Sequence, residues 1–164
     1  MTGERTMTWR GSTTILERIL ACLPYLLPLI SAVGFGYSLF RQFPALQILF
    51  LPLQPVMLIY SILGQYGELI VFFALFLLVV RNEKVPHFIR FNTMQALLLD
   101  IVAYLCGIIL RLVALPGIVF AIQTLSTTIF LGIVAAALFS IIQSLLGRYA
   151  EIPAISDAVY MQVR

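Results

Sequence analysis

Residues Leu112 to Gly147, LVALPGIVFAIQTLSTTIFLGIVAAALFSIIQSLLG, run for 36 positions without an Asp, Glu, Lys or Arg. A helix rising ~1.5 Å per residue needs about 20 residues to cross a hydrocarbon core ~30 Å thick. The stretch therefore holds one crossing and is too short for two crossings plus a turn. Charge-free runs from Ile19 to Phe40 and from Gln42 to Gly67 repeat the signal. Barrel strands would instead alternate over segments of about ten residues, and no such alternation occurs.

The whole chain has the same character. Of its 164 residues 62% are apolar and only 10% charged, with a mean hydropathy of +1.05. Ordinary globular chains hold roughly 45–50% apolar and about 25% charged residues. A soluble domain this small would lack the polar side chains to cover itself. The sequence specifies an all-α integral membrane protein with a single membrane domain.

Four spans are expected, over residues 15–40, 64–80, 91–112 and 117–146, between polar tails at 1–14 and 147–164. Pro24 and Pro28 should kink or break the first span. The segment FPALQILFLPLQP carries Pro44, Pro52 and Pro55. It makes a poor continuous helix, and irregular backbone at membrane depth must be shielded by protein. It is expected to form an interfacial or re-entrant element between the first and second crossings. Pro116-Gly117 sets off the fourth.

Counting the Pro-rich segment as a crossing would give five spans, and the distribution of basic residues decides between the two counts. With four, Arg5, Arg10, Arg18, Arg81, Lys84, Arg90, Arg148 and Arg164 share one side, against Arg41 and Arg111 on the other. With five, the split is four against six. Four spans with both ends cytoplasmic or stromal follow. The net charge of +3 sits in those short loops and points to topology and anionic lipid, not nucleic acid. The polar N-terminal stretch is too short for a full organelle transit peptide, and the first apolar run is too long for a cleaved signal.

Polar residues inside apolar runs are the candidate functional groups. Asp100 falls near the bilayer midplane, where a carboxylate costs ~2.5–3.5 kcal/mol on insertion scales and should face protein. It is either part of a conduction path or proton-linked step, or a helix-orienting acceptor with Tyr104, at i+4, as its donor. Glu68 either pairs with Arg111 or Arg41, or all three snorkel separately into water. In the last span Thr124, Thr128, Gly132, Ala136, Ser140 and Ser144 recur at i+4. Small residues at this spacing let another helix approach closely, in this chain, a second copy or another protein.

Catalytic chemistry finds no constellation: no metal-ligand cluster, no phosphate loop, no nucleophile with a base. Cys22 and Cys106 have no metal-binding spacing. Their expected depths differ by roughly 18 Å at ~1.5 Å per residue, beyond the ~7 Å a disulfide allows. No enzyme activity, cofactor or metal is expected.

The string VVRNEKVPHFIRFNTMQALLLDI, with LPYLLPL and GFGYSLFRQFP upstream, resembles the twenty-kilodalton membrane subunit family of the Tic translocon, the protein-import machinery of the inner chloroplast envelope. The likeness rests on Val80-Arg81-Asn82, Phe88-Ile89-Arg90-Phe91-Asn92, Met94-Gln95-Ala96 and Leu98-Leu99-Asp100. It implies four helices, both ends stromal or cytoplasmic, partner membrane subunits and a contribution to the channel-forming part of import. The short N-terminus suits a cyanobacterial or plastid-encoded member. Within the motif Arg90 is expected to reach headgroups and Asn92 to satisfy free backbone donors at the helix start. Gln95 and Asp100 would carry polarity inward.

Two functions fit these features: a translocon subunit lending polar helix faces to a polypeptide path or insertion site, or a non-conducting scaffold of a larger complex. A small ion or solute transporter, centred on Asp100 in a homo-oligomer, is a third. Four helices around one core pack solid, so a polypeptide pore needs several copies or other subunits.

Overall fold

The computed structural model describes residues 13–153 and 155–163. Three of the basic residues counted above, Arg5, Arg10 and Arg164, lie outside them. Four helical segments are long and apolar enough to cross a membrane: α1 (Ile15–Gln42), α2 (Pro44–Val80), α3 (His87–Val113) and α4 (Val119–Leu145). A short fifth helix, α5 (Ile155–Gln162), follows. No strand occurs among the described residues.

Helix α1 starts on a reciprocal cap. The Thr14 hydroxyl accepts from the Glu17 amide while the Glu17 carboxylate accepts from the Thr14 amide, both at 3.2 Å. Its prolines tighten the helix without ending it. Pro24 lies in a three-ten turn, Leu23–Tyr25, and Pro28 in the first turn of the segment that follows. Amides there lack an i−4 partner in any case, so a missing donor costs little.

The Pro-rich segment lies in the second helical region, α2, which changes character along its length. Three-ten helix over Pro44–Leu53 gives way to α-helix over Gln54–Leu63. After a break at Gly64–Tyr66, α-helix resumes over Gly67–Leu75 and ends in a π turn, Phe76–Val80. Gly64 adopts φ +78°, open to glycine but strained for other residues. The chain bends so sharply there that a Cβ on Gly67 would stand 2.9 Å from the Tyr60 carbonyl oxygen. The two arms serve different neighbours. Phe50 packs edge-on to Phe40 at 5.3 Å and Leu53 joins Leu29 and Ala137, so the first arm covers α1 and α4. Phe72, Leu75 and Phe76 of the second cover the Phe91, Met94 and Leu97 side of α3.

Helix α3 is the central element: every residue from Phe88 to Leu97 is buried. The tail after α4, expected to be simply polar, closes its lower end. Tyr149 packs edge-to-face against Phe88 and Phe91 at 5.2 and 5.0 Å, and Val159 and Val163 enter the cluster formed by Phe91, Met94 and Leu97. Apolar positions at i and i+4 in Val159 and Val163 were the available signal.

Both described chain ends and the α2–α3 turn meet at one end of the bundle. His87 Nδ1 lies 3.0 Å from the Tyr149 hydroxyl, and Arg18 donates to the Leu145 carbonyl at 3.5 Å. Gly147, at φ +74°, leaves no room for a Cβ, which would stand 2.8 Å from the Thr13 hydroxyl. An even number of crossings follows. The two sides are called the terminal end and the opposite end below.

Candidate functional site

Two polar regions occupy the bundle, one above the other. Toward the terminal end, Asn92 and Gln95 project from α3 into a network with no solvent exposure. Asn92 donates to the Phe88 carbonyl and accepts from the Tyr25 and Ser144 hydroxyls, each at 2.8 Å. The Gln95 amide nitrogen, with two hydrogens to give, lies 3.0 Å from the Tyr25 hydroxyl, 3.2 Å from the Ser140 hydroxyl and 2.6 Å from the Ala150 carbonyl, while its Oε1 has no partner among the described residues. Helices α1, α3, α4 and the tail are thereby joined at one point. Such networks fix helix register because each unmade bond would leave a polar group in an apolar surround.

This corrects two expectations. Asn92 does not serve free donors at the helix start; its carboxamide is spent on side chains of α1 and α4 and on a carbonyl of its own helix. Arg90 is buried and does not reach headgroups: its Nε donates to the Val80 carbonyl at 2.9 Å. That bond satisfies the last carbonyl of α2, as basic groups at helix C-termini do. Arg81 is exposed over the Phe76 ring at 6.0 Å, and Asn82 accepts from the Lys84 amide at 3.0 Å to shape the turn.

At mid-height lies the second region. Asp100 is the central residue of the 27-residue α3 and is buried. Its partner is the Ser31 hydroxyl of α1, at 2.5 Å, and the same hydroxyl lies 3.0 Å from Glu68 of α2. Tyr104 does not donate to it; that side chain is 64% exposed and turns into the adjoining cavities. Glu68 forms no ion pair with Arg111 or Arg41 among the described residues, although Arg111 lines the same cavity.

From this point a crevice of mixed polar and apolar lining extends toward the opposite end. A cavity of about 350 Å³ bounded by Ser31, Glu68, Tyr104, Arg111 and Ser126 adjoins one of about 500 Å³ bounded by Ser38, Arg41, Gln42 and Gln123. They share Gly34 and Ser126 as walls. Gly36, just beyond, has no room for a Cβ, because the Phe130 ring lies 2.8 Å from where it would stand.

The expected ridge on α4 divides between these regions. Ser140 and Ser144 are buried in the network and Ala136 packs against the Tyr25, Ala96 and Leu99 cluster. Thr124 and Thr128 face outward, their hydroxyls donating to carbonyls one turn back at 2.9 and 2.8 Å. A methyl group on Gly132 would meet nothing within 4 Å. The residues that sequence reasoning missed are Tyr25, Ser31 and Ala150. Tyr25 and Ser31 had a signal, since each is a hydroxyl inside an otherwise apolar run; a backbone carbonyl has none.

A bundle of four membrane-crossing helices, with a locked polar core and a crevice entering from one side, defines the class. The family described as "Chloroplast import apparatus Tic20-like" matches residues 12–159. The chain belongs to this Tic20 family. It is 47% identical over 150 residues to a Tic20 family protein of Synechocystis sp., covering 90% of this chain and 93% of that one. It is 36% identical over 160 residues to the Tic20 family protein Ycf60 of Gracilaria tenuistipitata, covering 92% and 76%. It is 32% identical over 165 residues to the chloroplastic protein TIC 20-II of Arabidopsis thaliana, covering 96% and 78%.

Proposed function

We propose that the chain is a membrane subunit of a Tic-type protein translocation complex and that its crevice contributes to the polypeptide-conducting or insertion path. The observation that supports this reading most is the pair of adjoining cavities of mixed character, with Arg41, Gln123, Ser126 and Arg111 among apolar neighbours in their walls, reaching mid-height from the opposite end. Polar groups in a wall at that depth lower the cost of holding an extended backbone, whose amides and carbonyls lipid cannot satisfy. A non-conducting scaffold is the second reading. It is favoured by the terminal half, where buried side chains such as Tyr25, Phe91, Gln95 and Leu97 leave no passage through a single copy.

Photocrosslinking separates the two. A photoreactive side chain at Gln123, in the crevice, should capture a polypeptide arrested in transit, and one at Leu131, exposed on the outer face of α4, should capture lipid. Equal capture of the polypeptide from both positions, or none from Gln123, would leave the scaffold reading. The terminal end is assigned to the stroma or cytoplasm. Single cysteines at Asn82 and at Glu151 should then be labelled by impermeant reagents only from that face, and labelling from the other would reverse the orientation.

A further inference from the structure

Of the four crossings, α2 is the one least covered by the rest of the chain. Much of that bare surface is apolar and suits lipid: Leu58, Ile59, Ile62, Leu77 and Leu78 are all more than half exposed. One stretch does not suit lipid. Glu68 is exposed, level with Asp100 at the centre of the bundle, and its contact in this chain is a serine hydroxyl. Four positions earlier the helix is broken at Gly64. A carboxylate and an interrupted helix facing hydrocarbon at mid-depth are tolerated where protein or water covers them.

A groove of about 510 Å³ between α2 and α3 opens beside this stretch. Its walls are apolar and aromatic, Leu69, Phe72, Phe73 and Ile101, and its floor holds Glu68 and Asp100. Two carboxyls, Glu68 and Asp100, thus meet at an apolar slot, and no Lys, Arg or His of the described residues forms an ion pair with them. The complementary ligand is apolar along its length and cationic at one point.

We propose that the α2–α3 groove docks a membrane-spanning helix of a partner protein that carries a basic side chain at mid-depth. A second copy of this chain is a poor occupant, because Arg41 and Arg111 lie near the ends of α1 and α3, far from mid-height. The proposal goes beyond the function proposed above, since such docking serves a conducting subunit and a scaffold alike.

The test uses the full chain in lipid nanodiscs, with a donor fluorophore at its C-terminal end, and synthetic helices of about 21 residues carrying an acceptor. One helix is Leu and Ala throughout, and the other has a single central Lys. Energy transfer should show the Lys helix binding roughly tenfold tighter, about 1.4 kcal/mol, and Glu68→Gln should remove that preference. Equal binding of the two helices to the unaltered protein would overturn the proposal without recourse to any variant. So would a Lys preference that survives combined Glu68→Gln and Asp100→Asn. Transfer between two labelled copies that the Lys helix cannot displace would show the groove filled by the chain itself, and would overturn it too.

Discussion

The two halves of the bundle use the same kinds of residue to opposite ends. Toward the terminal end, Tyr25, Asn92, Gln95, Ser140 and Ser144 are fully buried and bonded to one another. In the half beyond Asp100, Ser38, Gln42 and Gln123 line open cavities, Ser126 lines them while donating to the Phe35 carbonyl at 2.9 Å, and at the boundary Glu68 has the Ser31 hydroxyl as its hydrogen-bond partner among the described residues. Helix α3 runs through both, polar to its midpoint, then carrying only Tyr104 and Arg111 at cavity walls. Polarity in a membrane protein is therefore no guide to hydration. What decides is whether each group finds a complement on a facing element, and the terminal half supplies most of them, leaving the Gln95 Oε1 and the Thr93 hydroxyl buried without a partner among the described residues.

The largest effect that would test this contrast is expected at Asn92. Three hydrogen bonds end on its carboxamide. Two of them cross between helices, and at an average of about 0.6 kcal/mol for each interhelical bond within a membrane, and up to about 1.7, their loss is worth roughly 1–3 kcal/mol. Asn92→Leu also strands the buried Ser144 hydroxyl and leaves Tyr25 with Gln95 alone. Denaturation of the purified protein should show a loss in that range. A loss below about 0.5 kcal/mol, the usual range for a surface substitution, would mean that the terminal half is held by its apolar clusters instead.

Asp100 should respond more weakly, although it is nearly as buried as the network and bears a carboxyl group. Asn fits the same space and can still accept from Ser31, so Asp100→Asn should change stability by less than about 1 kcal/mol and leave assembly intact. In Asp100→Leu the Ser31 hydroxyl still has Glu68 within reach at 3.0 Å, which limits the loss to about the same size. If either variant matched Asn92→Leu in a side-by-side unfolding experiment, the midpoint would belong with the locked half. If Asp100→Asn assembled normally but abolished transport, its charge would act in the path.

How much of this was legible in the sequence follows from what each feature depends on. Charge-free runs and the eight-to-two split of basic residues depend on local composition, so the crossings and the meeting of both ends at one side could be read directly. Asn92, Gln95 and Asp100 stood out because a polar group in an apolar run is visible without knowing its neighbours. Their partners were not legible. Asp100 looked served by Tyr104 along its own helix, but the bond runs to Ser31, 69 residues away. Arg90 looked like a headgroup anchor because nothing in its surroundings announces that the α2 carbonyl end will fold over it. The second span was expected to begin at residue 64, where the chain bends, but the Pro-rich segment before it stays helical.

The smallest expected effect on the fold, and the most informative about partners, is at Gly132. The i+4 ridge of α4 is used within the chain only at Ala136, Ser140 and Ser144. Around Gly132 there is nothing within 4 Å to resist a side chain. Gly132→Leu should accordingly leave unfolding of the isolated protein within about 0.5 kcal/mol of the original, or raise stability slightly because Gly costs a helix about 1 kcal/mol relative to good helix formers. Any effect must then come from outside the chain. If the Thr124, Thr128 and Gly132 face seats another helix, the bulkier Leu should hold that helix off and lower recovery of the native complex from mild detergent. Ser140→Leu, by contrast, should unfold the protein before it can reach a partner. Full recovery of the complex with Gly132→Leu would confine the ridge to its internal half and leave the outer face of α4 to lipid.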